Sequence, residues 1–459
     1  MHKTFDTIIY NATIVTVNAA FDIIPEGMIG IMNGRIEEIS TMTDGVDIPA
    51  GVEAIDAAGG IVMPGLINTH THMPMTLFRG LADDLPLDVW LNQYIFPAEG
   101  AWITPENVRL GTALACAEML LSGTTTVCGG YFYEDAVAEI VSQAGMRGVL
   151  GQGVVDFPAP GVPDAGDNIN AAVTFTQKWR GLSPMIQPSI FCHSPYTCTQ
   201  KTLLAAKAAA RSQGVLFQIH AAETAGEQAL IENGGDMSPI QYLDHVGVLD
   251  EQTLLVHSVW ADDKDVEIIV NSGAAVSHNP ESNMKLASGI APAQKFLSAG
   301  IPVGLGTDGC ASNNDLDMFQ EMDTAAKLHK AHTLDPTVMD VGSVLKMATI
   351  KAAKAIGLDR KIGSLEKGKQ ADLIVIDTHQ PHLVPLYNPV SQIVYSARGS
   401  DVRDVMVAGR MLVRDRSLTA LDQGDILNKV NVLSRKIAAF SKIGERFYSP
   451  SNSQMVNIF

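Results

Sequence analysis

The sequence Ile61-Val-Met-Pro-Gly-Leu-Ile-Asn-Thr-His-Thr-His72 is an apolar run that ends on two histidines one residue apart. Side chains at positions i and i+2 of a β-strand lie on the same face, so His70 and His72 are expected to point into one space. Two imidazoles in one space repel each other when protonated and are stabilised by sharing a metal ion. Such a pair also arises by chance, so further ligands are needed to establish a metal site.

Similar apolar runs recur through the middle of the chain, with helix-like stretches such as Thr104–Ser122, Gln200–Gln213 and Lys264–Ser272 between them. With the first run, they make eight strand–helix repeats, which predict an α/β fold of the (β/α)8 TIM-barrel type. Barrels of this type carry their chemistry at the carboxyl ends of the strands. The seven further runs are Gly123–Cys128, Gly148–Asp156, Met185–His193, Val215–His220, Thr253–His257, Ala274–His278 and Ile301–Asp308.

Both ends of the chain contain shorter β-rich segments separated by turns. Asn33-Gly34 is a hairpin signal before Arg35–Ile39. We therefore predict a small β-sandwich domain from residues 1–61 and 366–425, a barrel over 62–365, and a C-terminal helix with a polar tail (Ser449–Gln454) over 426–459. The other segments expected to be strands are Phe5–Tyr10, Ala12–Val17, Gly368–Asp377 and Val402–Val413.

Composition excludes several classes of function. Hydrophobic residues make up 46% of the 459-residue chain and charged residues 18%, which indicates a large buried core rather than disorder. The net charge of −18 argues against nucleic acid or an anionic membrane as a partner. No leader or membrane-spanning segment is expected. The five cysteines form no C-x-x-C pair, and we expect them to be buried thiols in a reducing cytoplasm.

Seven of the eight predicted strands end on a histidine or an aspartate. Zinc prefers about four nitrogen, oxygen or sulfur ligands, with an open position when it takes part in catalysis. His70, His72, His220 and Asp308 supply three imidazoles and one carboxylate, so we predict one divalent metal ion, zinc, at the barrel mouth. The strand-end residues expected to meet there are His70, His72, His193, His220, His257, His278 and Asp308.

The sequence His220-Ala-Ala-Glu223 places a carboxylate just beyond one predicted ligand. Glu223 there is suited to take a proton from an attacking water and deliver it to a substrate. The alternatives are a glutamate that only begins a helix and a di-iron motif, although the latter reads Glu-x-x-His. The segment Gly304–Gly309 matches G-x-G-x-x-G, but the loop-like Cys310–Asp315 follows it instead of a helix, which disfavours a dinucleotide site.

Four segments resemble the amidohydrolase superfamily, in its usual order and across essentially the whole chain. Within it, three further segments resemble the methylthioadenosine/S-adenosylhomocysteine deaminases, a pattern shared in part with guanine deaminases and triazine hydrolases. The superfamily segments are Pro64–His72, His220–Glu223, Ser277-His-Asn-Pro280 and Gly306-Thr-Asp-Gly309. The deaminase segments are His72–Asp84, Leu87-Asp-Val-Trp90 and Pro97-Ala-Glu99.

The resemblance implies a cytoplasmic, zinc-dependent enzyme that deaminates 5′-methylthioadenosine, S-adenosylhomocysteine or both to the inosine analogue and ammonia. It assigns the metal to His70, His72, His220 and Asp308. It makes Glu223 the proton shuttle and His257 the residue that polarises the attacked centre, and Asp308 is expected to help hold the tetrahedral centre that forms. Trp90, Glu99 and His193 are expected to contact the nucleoside together with Glu223 and Asp308, with Glu99 on the ribose hydroxyls. A homo-oligomer is expected.

The chain departs from the family pattern at one loop. Relatives carry an arginine after strand three that helps to bind substrate, whereas Asp156–Asp167 contains none. This favours methylthioadenosine over a substrate with a homocysteine carboxylate, unless Arg79 or Arg147 compensates. Members with two metals carry a lysine at the end of strand four, where this chain has His193, so one metal is expected.

Two other classes of function remain open on the sequence alone. One is hydrolysis of another heterocycle, such as guanine, adenosine or an s-triazine. Glu99 discriminates here, because a substrate without ribose gives it nothing to bind. The other is a non-catalytic scaffold, which the presence of all four ligands disfavours.

Overall fold

The computed structural model describes residues 5–42, 51–85 and 89–447, with side chains described up to residue 439. The segment Leu87-Asp88 and the predicted polar tail Ser449–Gln454 lie outside these residues. Within them, the strands are β1 (Thr7–Val15), β2 (Ile23–Met32), β3 (Arg35–Thr41), β4 (Glu53–Asp56), β5 (Ile61–Pro64), β6 (Leu66–Thr71), β7 (Thr124–Tyr131), β8 (Arg147–Val154), β9 (Ile186–Cys192), β10 (Phe217–Ala221), β11 (Thr253–His257), β12 (Ala275–His278), β13 (Val303–Leu305), β14 (Leu373–Ile376), β15 (Val402–Val407), β16 (Arg410–Arg414) and β17 (Ser417–Leu418).

The eight strands β6 to β13 form a parallel sheet in which each strand pairs with its neighbours in chain order. Helices connect successive strands, so the predicted TIM barrel is confirmed. The first predicted strand is divided, however: β5 pairs with β1 and β14 in a different sheet, and only β6 belongs to the barrel. Residues of both pieces are buried, which explains why the sequence shows one continuous apolar run.

The second sheet combines strands from both ends of the chain, as predicted. Its order among the described strands is β17-β16-β15-β14-β5-β1-β2-β3, with β4 beside β1. The two predicted strands Phe5–Tyr10 and Ala12–Val17 are one strand, β1, with a register irregularity where Asn11 has a φ of 55°. The predicted hairpin at Asn33-Gly34 is confirmed, since both residues have positive φ between β2 and β3.

Most of the helices cover the outside of the barrel. No helix in the described part of the chain is both long and apolar enough to cross a bilayer. The helices are α1 (Phe96–Trp102), α2 (Pro105–Leu121), α3 (Glu134–Ala144), α4 (Asn168–Trp179), α5 (Gln200–Gln213), α6 (Glu227–Leu230), α7 (Pro239–Val246), α8 (Asp263–Ser272), α9 (Pro280–Lys285), α10 (Ala293–Ser298), α11 (Cys310–Asn313), α12 (Met318–Thr333), α13 (Val341–Met347), α14 (Ile350–Ala355), α15 (Pro389–Tyr395) and α16 (Gln423–Phe447).

The barrel closes where β13 lies beside β6. The backbone N–H of Asp308 donates to the carbonyl of His70 at 2.9 Å, and the Thr69 hydroxyl donates to the carbonyl of Leu305 at 2.9 Å. A Cβ at Gly306 would lie 2.7 Å from the backbone nitrogen of His70, and one at Gly304 would lie 2.3 Å from Thr69 Cγ2. Gly304 and Gly306 therefore permit close approach of two strands, which accounts for them without a bound dinucleotide. The segment after Gly309, expected to be a loop, begins with the one-turn helix α11 (Cys310–Asn313).

Candidate metal centre and active site

Three histidines and one aspartate meet at the carboxyl ends of β6, β10 and β13. His70 Nε2 lies 3.1 Å from His220 Nε2 and 3.3 Å from Asp308 Oδ1, and His72 Nε2 lies 3.5 Å from the same oxygen. One nitrogen from each of the three histidines lies within 4.8 Å of the other two. The structure thus brings together all four residues predicted as metal ligands.

The outer nitrogens of two of these histidines are already engaged by the protein, whereas His70 Nδ1 is buried with no hydrogen-bond partner among the described residues. His72 Nδ1 lies 2.8 Å from the carbonyl of Gly130, and His220 Nδ1 lies 2.7 Å from the carbonyl of His193. Carbonyl oxygens only accept, so each Nδ1 carries the proton and each Nε2 presents a lone pair to the centre. The lone pairs of His72 and His220 therefore converge in a way that fits a cation, and backbone partners of this kind are usual behind metal-binding histidines.

The charge states of these groups also suit a cation. Burial lowers the pKa of His70 to about 4, which leaves the imidazole neutral at physiological pH. Burial alone would raise the pKa of Asp308, but the hydrogen bond with His70 and the positive charge that His70 and His72 acquire when protonated at low pH hold it well below the ordinary value. The cluster therefore combines neutral imidazoles with one carboxylate, which is a common donor set for zinc.

Glu223 and His257 lie beside this cluster. Glu223 Oε2 is 3.8 Å from His257 Nε2, and burial raises the pKa of the Glu223 carboxyl above its ordinary value. His257 Nδ1 lies 2.9 Å from Asn283 Oδ1. In this amide orientation, His257 Nδ1–H donates to Asn283, and Nε2 faces Glu223 and the cavity. A carboxyl with a raised pKa next to an imidazole is suited to general acid–base chemistry.

The backbone at these strand ends is left-handed at residues other than glycine. Ala222, His257, Ser258 and Asp308 have φ values of 55°, 71°, 50° and 60°. This conformation is costly for residues with a Cβ and persists only where the surrounding structure enforces it. Here it turns the chain near the ends of β10, β11 and β13. The side chains of His257 and Asp308 consequently line the cavity.

A cavity of about 360 Å³ opens onto the cluster. Glu99 lines it and is buried; its carboxylate accepts a hydrogen bond from the Tyr131 hydroxyl, and burial raises its pKa to about 7. Trp90 donates its indole N–H to the carbonyl of Ala82 at 3.1 Å, so its ring is fixed at the wall. The predicted site residues that line this cavity are His72, Trp90, Glu99, His193, His220, Glu223, His257 and Asp308, with His70 buried next to them.

His278 does not join the site, which corrects the expectation that it faces the barrel mouth. Its Nε2 lies 3.0 Å from His329 Nε2 on α12, and the side chain points away from the cavity. Arg79 and Arg147 also lie outside the cavity lining. Arg79 forms a salt bridge with Glu118, and Arg147 binds Asp372 through two hydrogen bonds of 2.9 and 3.1 Å.

Sequence reasoning missed several residues that hold the site in place. Tyr131 ends β7 and binds Glu99, but Gly129-Gly130 interrupts the apolar pattern, so the predicted strand stopped at Cys128. Asn283 behind His257 was also missed. So were Ser282 and Ser312, whose hydroxyls donate to Asp308 Oδ2 at 2.7 and 2.8 Å. Extending the predicted strand to Tyr131 would have placed that residue at a strand end, the position at which the other site residues were found.

Residues 61–412 match the sequence model of the amidohydrolase family. This chain belongs to the amidohydrolase family. A relative from Syntrophobacter fumaroxidans, named 5-methylthioadenosine/S-adenosylhomocysteine deaminase, is 44% identical over 94% of this chain and 98% of its own. One from Methanosarcina mazei, named 5′-deoxyadenosine deaminase, is 41% identical over 95% and 99%. The crystal structure of an adenosine deaminase from Xanthomonas campestris with bound zinc superposes with a TM-score of 0.91, at 36% identity over 95% and 99%.

Proposed function

We propose that this amidohydrolase deaminates an adenine nucleoside with a small uncharged 5′ group, with 5′-methylthioadenosine as substrate, to the inosine analogue and ammonia. One observation carries the proposal: the buried carboxylate of Glu99 lines the same cavity as the predicted ligands and Glu223. A carboxylate in that place can accept hydrogen bonds from two ribose hydroxyls. The relatives named as deaminases of methylthioadenosine and 5′-deoxyadenosine support the same substrate class.

We infer one zinc ion held by His70, His72, His220 and Asp308. The donor set of three imidazoles and one carboxylate and the zinc of the Xanthomonas campestris structure support this choice of metal. When bound, such an ion lowers the pKa of water toward about 7 and acts as a Lewis acid. The chain itself supplies the fixed ligand geometry, through the partners of His72, His220 and Asp308.

In the proposed reaction, Glu223 carries out the proton transfers and His257 holds the attacking oxygen. Glu223 takes a proton from the attacking water and delivers it to ring nitrogen 1 of adenine, while the water oxygen forms a bond to carbon 6. His257 Nε2 holds that oxygen, and the contact of Nδ1 with Asn283 keeps the ring in position. The second water proton passes through Glu223 to the exocyclic amine, the bond from carbon 6 to that nitrogen breaks, and ammonia leaves.

The cavity wall indicates which 5′ groups are accepted. Among the described residues, no lysine or arginine lines the cavity. The rings of Phe96 and Phe157 lie 6.4 Å apart at its wall, and Pro158 and Pro160 extend this apolar surface. A methylthio or methyl group fits such a wall, whereas the carboxylate of a homocysteine group would lose its hydration without gaining a cationic partner.

The test is to load the protein with zinc and compare ammonia release from 5′-methylthioadenosine, 5′-deoxyadenosine, adenosine, S-adenosylhomocysteine and guanine. We expect the highest kcat/KM with the first two, a lower value with S-adenosylhomocysteine and none with guanine. Release from guanine alone, or from none of the adenine nucleosides, would refute the proposed function. A preference for S-adenosylhomocysteine would refute only the inference about the 5′ group.

We also infer a cytoplasmic location and a homo-oligomeric state. All five cysteines are buried and unpaired, which suits a reducing compartment. Sedimentation of the purified protein measures the number of subunits, and a monomer at working concentrations would contradict the second inference.

A further inference from the structure

Glu227 is a buried carboxylate that the proposed chemistry leaves without a role. It begins the short helix α6, and 2% of its surface is exposed. Its Oε2 accepts a hydrogen bond of 2.7 Å from the backbone N–H of Glu223, and the backbone N–H of Ala222 is a second donor to the same carboxylate. Its Oε1 has no hydrogen-bond partner within the part of the chain that the structure describes.

The loop that carries Glu223 needs such an anchor. Ala222 has a φ of 55°, which is unfavourable for alanine. The loop carbonyls are fixed from one side: Ser258 N–H donates to Ala221 O at 3.0 Å, and Trp260 N–H donates to Ala222 O at 2.9 Å. The backbone N–H groups of Ala222 and Glu223 have the Glu227 carboxylate as their acceptor.

Burying this carboxylate is unfavourable, which argues that the contact is retained for a reason. The pKa of Glu227 is raised to about 7, mainly by burial and also by the neighbouring charge of Glu223, although the two backbone hydrogen bonds oppose this shift. An apolar side chain would avoid this cost but would leave two buried N–H groups without acceptors.

We propose that Glu227 is a positioning residue that holds Glu223 in the geometry required for proton transfer. This inference rests on the proposed function, because it assigns Glu227 a role in the same deamination. Hydrogen bonds to two successive amides fix the direction of the Glu223 side chain from its own backbone. A displacement of about 1 Å in a catalytic group commonly lowers turnover by about a hundredfold.

The first experiment compares Glu227→Gln with Glu227→Ala. The glutamine keeps an oxygen that accepts both N–H groups, so we expect kcat within about threefold of the original protein. The alanine removes the acceptor, so we expect kcat to fall by about a hundredfold while KM and zinc content stay nearly constant. Glu232→Ala, at an exposed glutamate just after α6, is the matched control and should leave kcat unchanged. Equal losses in Glu227→Gln and Glu227→Ala would overturn the proposal.

The second experiment asks whether Glu227 acts through Glu223. If it does, the double variant Glu223→Gln/Glu227→Ala should have the same kcat as Glu223→Gln alone. A further hundredfold loss in the double variant would mean that Glu227 acts elsewhere and would refute the positioning role.

The third measurement does not depend on catalysis. Amide hydrogen exchange at residues 221–226 should be faster in Glu227→Ala than in the original protein and nearly unchanged in Glu227→Gln. Unchanged exchange in both variants would refute the proposal. If the original protein deaminates no nucleoside, the proposed function fails, and exchange alone still decides whether Glu227 orders this loop.

Discussion

At the scale of single residues, the site depends on contacts made behind the groups that face the cavity. Asp308 shows this most clearly, since the hydroxyls of Ser282 and Ser312 both donate to its Oδ2 and leave Oδ1 directed at His70 and His72. Hydrogen bonds of this kind restrict rotation of the carboxylate before any ion binds. Binding then costs less ordering of side chains.

Replacing Glu223 tests its role in proton transfer. Glu223→Gln keeps the size of the side chain but removes the group that accepts a proton, so kcat should fall by about two to four orders of magnitude. KM and zinc content should change little, because Glu223 is not among the predicted ligands. Turnover by ammonia release and metal content by elemental analysis measure both effects. Normal turnover in Glu223→Gln would remove Glu223 from the mechanism.

The binding of ribose should depend on pH through Glu99. Its pKa is raised to about 7 by burial, so at pH 6 only about a tenth of the free enzyme carries an ionised Glu99. Because the protonated carboxyl accepts ribose hydroxyls poorly, KM should rise by up to about tenfold between pH 8 and pH 6. Glu99→Gln should have a high KM that lacks this dependence. A 2′,3′-dideoxy substrate is the matched control, and the same pH dependence with it would contradict the assignment.

The same group should make folding stability depend on pH. Between its ordinary pKa of 4.5 and about 7, the folded protein keeps the proton of Glu99 while the unfolded chain has lost it. Stability from this group therefore falls as pH rises through that window. Above pH 7, Glu99→Gln should be more stable than the original protein by up to about 3 kcal/mol, and the difference should vanish near pH 4.5. Unfolding measured at both pH values checks the sign.

At the scale of structural elements, the contact between β6 and β13 places metal ligands from opposite ends of the barrel side by side. Gly306→Ala adds a methyl group 2.7 Å from the backbone nitrogen of His70, where only a shift of backbone can relieve the overlap. We expect a loss of about 1–3 kcal/mol in stability and a clear loss of zinc affinity.

The control for this variant is Gly100→Ala, because a Cβ there meets no atom within 4 Å. Gly100 lies in α1, where alanine is favoured over glycine by roughly 0.5–1 kcal/mol, so stability should hold or rise slightly. Thermal unfolding and zinc titration of the two variants give the comparison. Similar behaviour of both would show that the strand contact does not require a glycine at 306.

The elements were largely predictable from sequence because each barrel strand is a short buried run, and most of the predicted runs end on a histidine or an aspartate. The division at Gly65 was not, since the residues on both sides of it are buried and nothing polar marks the change of sheet. The sequence also did not predict which way a side chain at a strand end faces. His257 and His278 both end strands, but His257 has a φ of 71° and faces the cavity, whereas His278 packs on His329.

At the scale of the whole molecule, an ion held by the proposed ligands would link the first and last strands of the barrel. An ion that binds only the folded state at a thousandfold excess over Kd adds about 4 kcal/mol of stability, or about 4 °C in Tm for a chain of this length. Chelation should therefore lower Tm by about that amount. Asp308→Asn should already show the lower Tm and respond little to the chelator, and an unchanged Tm after complete zinc removal would contradict the link.

The closing contact has a consequence for biosynthesis. Asn68 and Thr307, which hydrogen-bond across it, are 239 residues apart in the chain. At about 5–20 residues per second, a ribosome needs roughly ten to fifty seconds to make the intervening segment. During that time the nascent chain exposes His70 and His72 without their carboxylate partner. The proposed zinc site becomes complete only after translation of the eighth strand, so a product that terminates before Asp308 would be an incomplete barrel without the carboxylate among the proposed ligands.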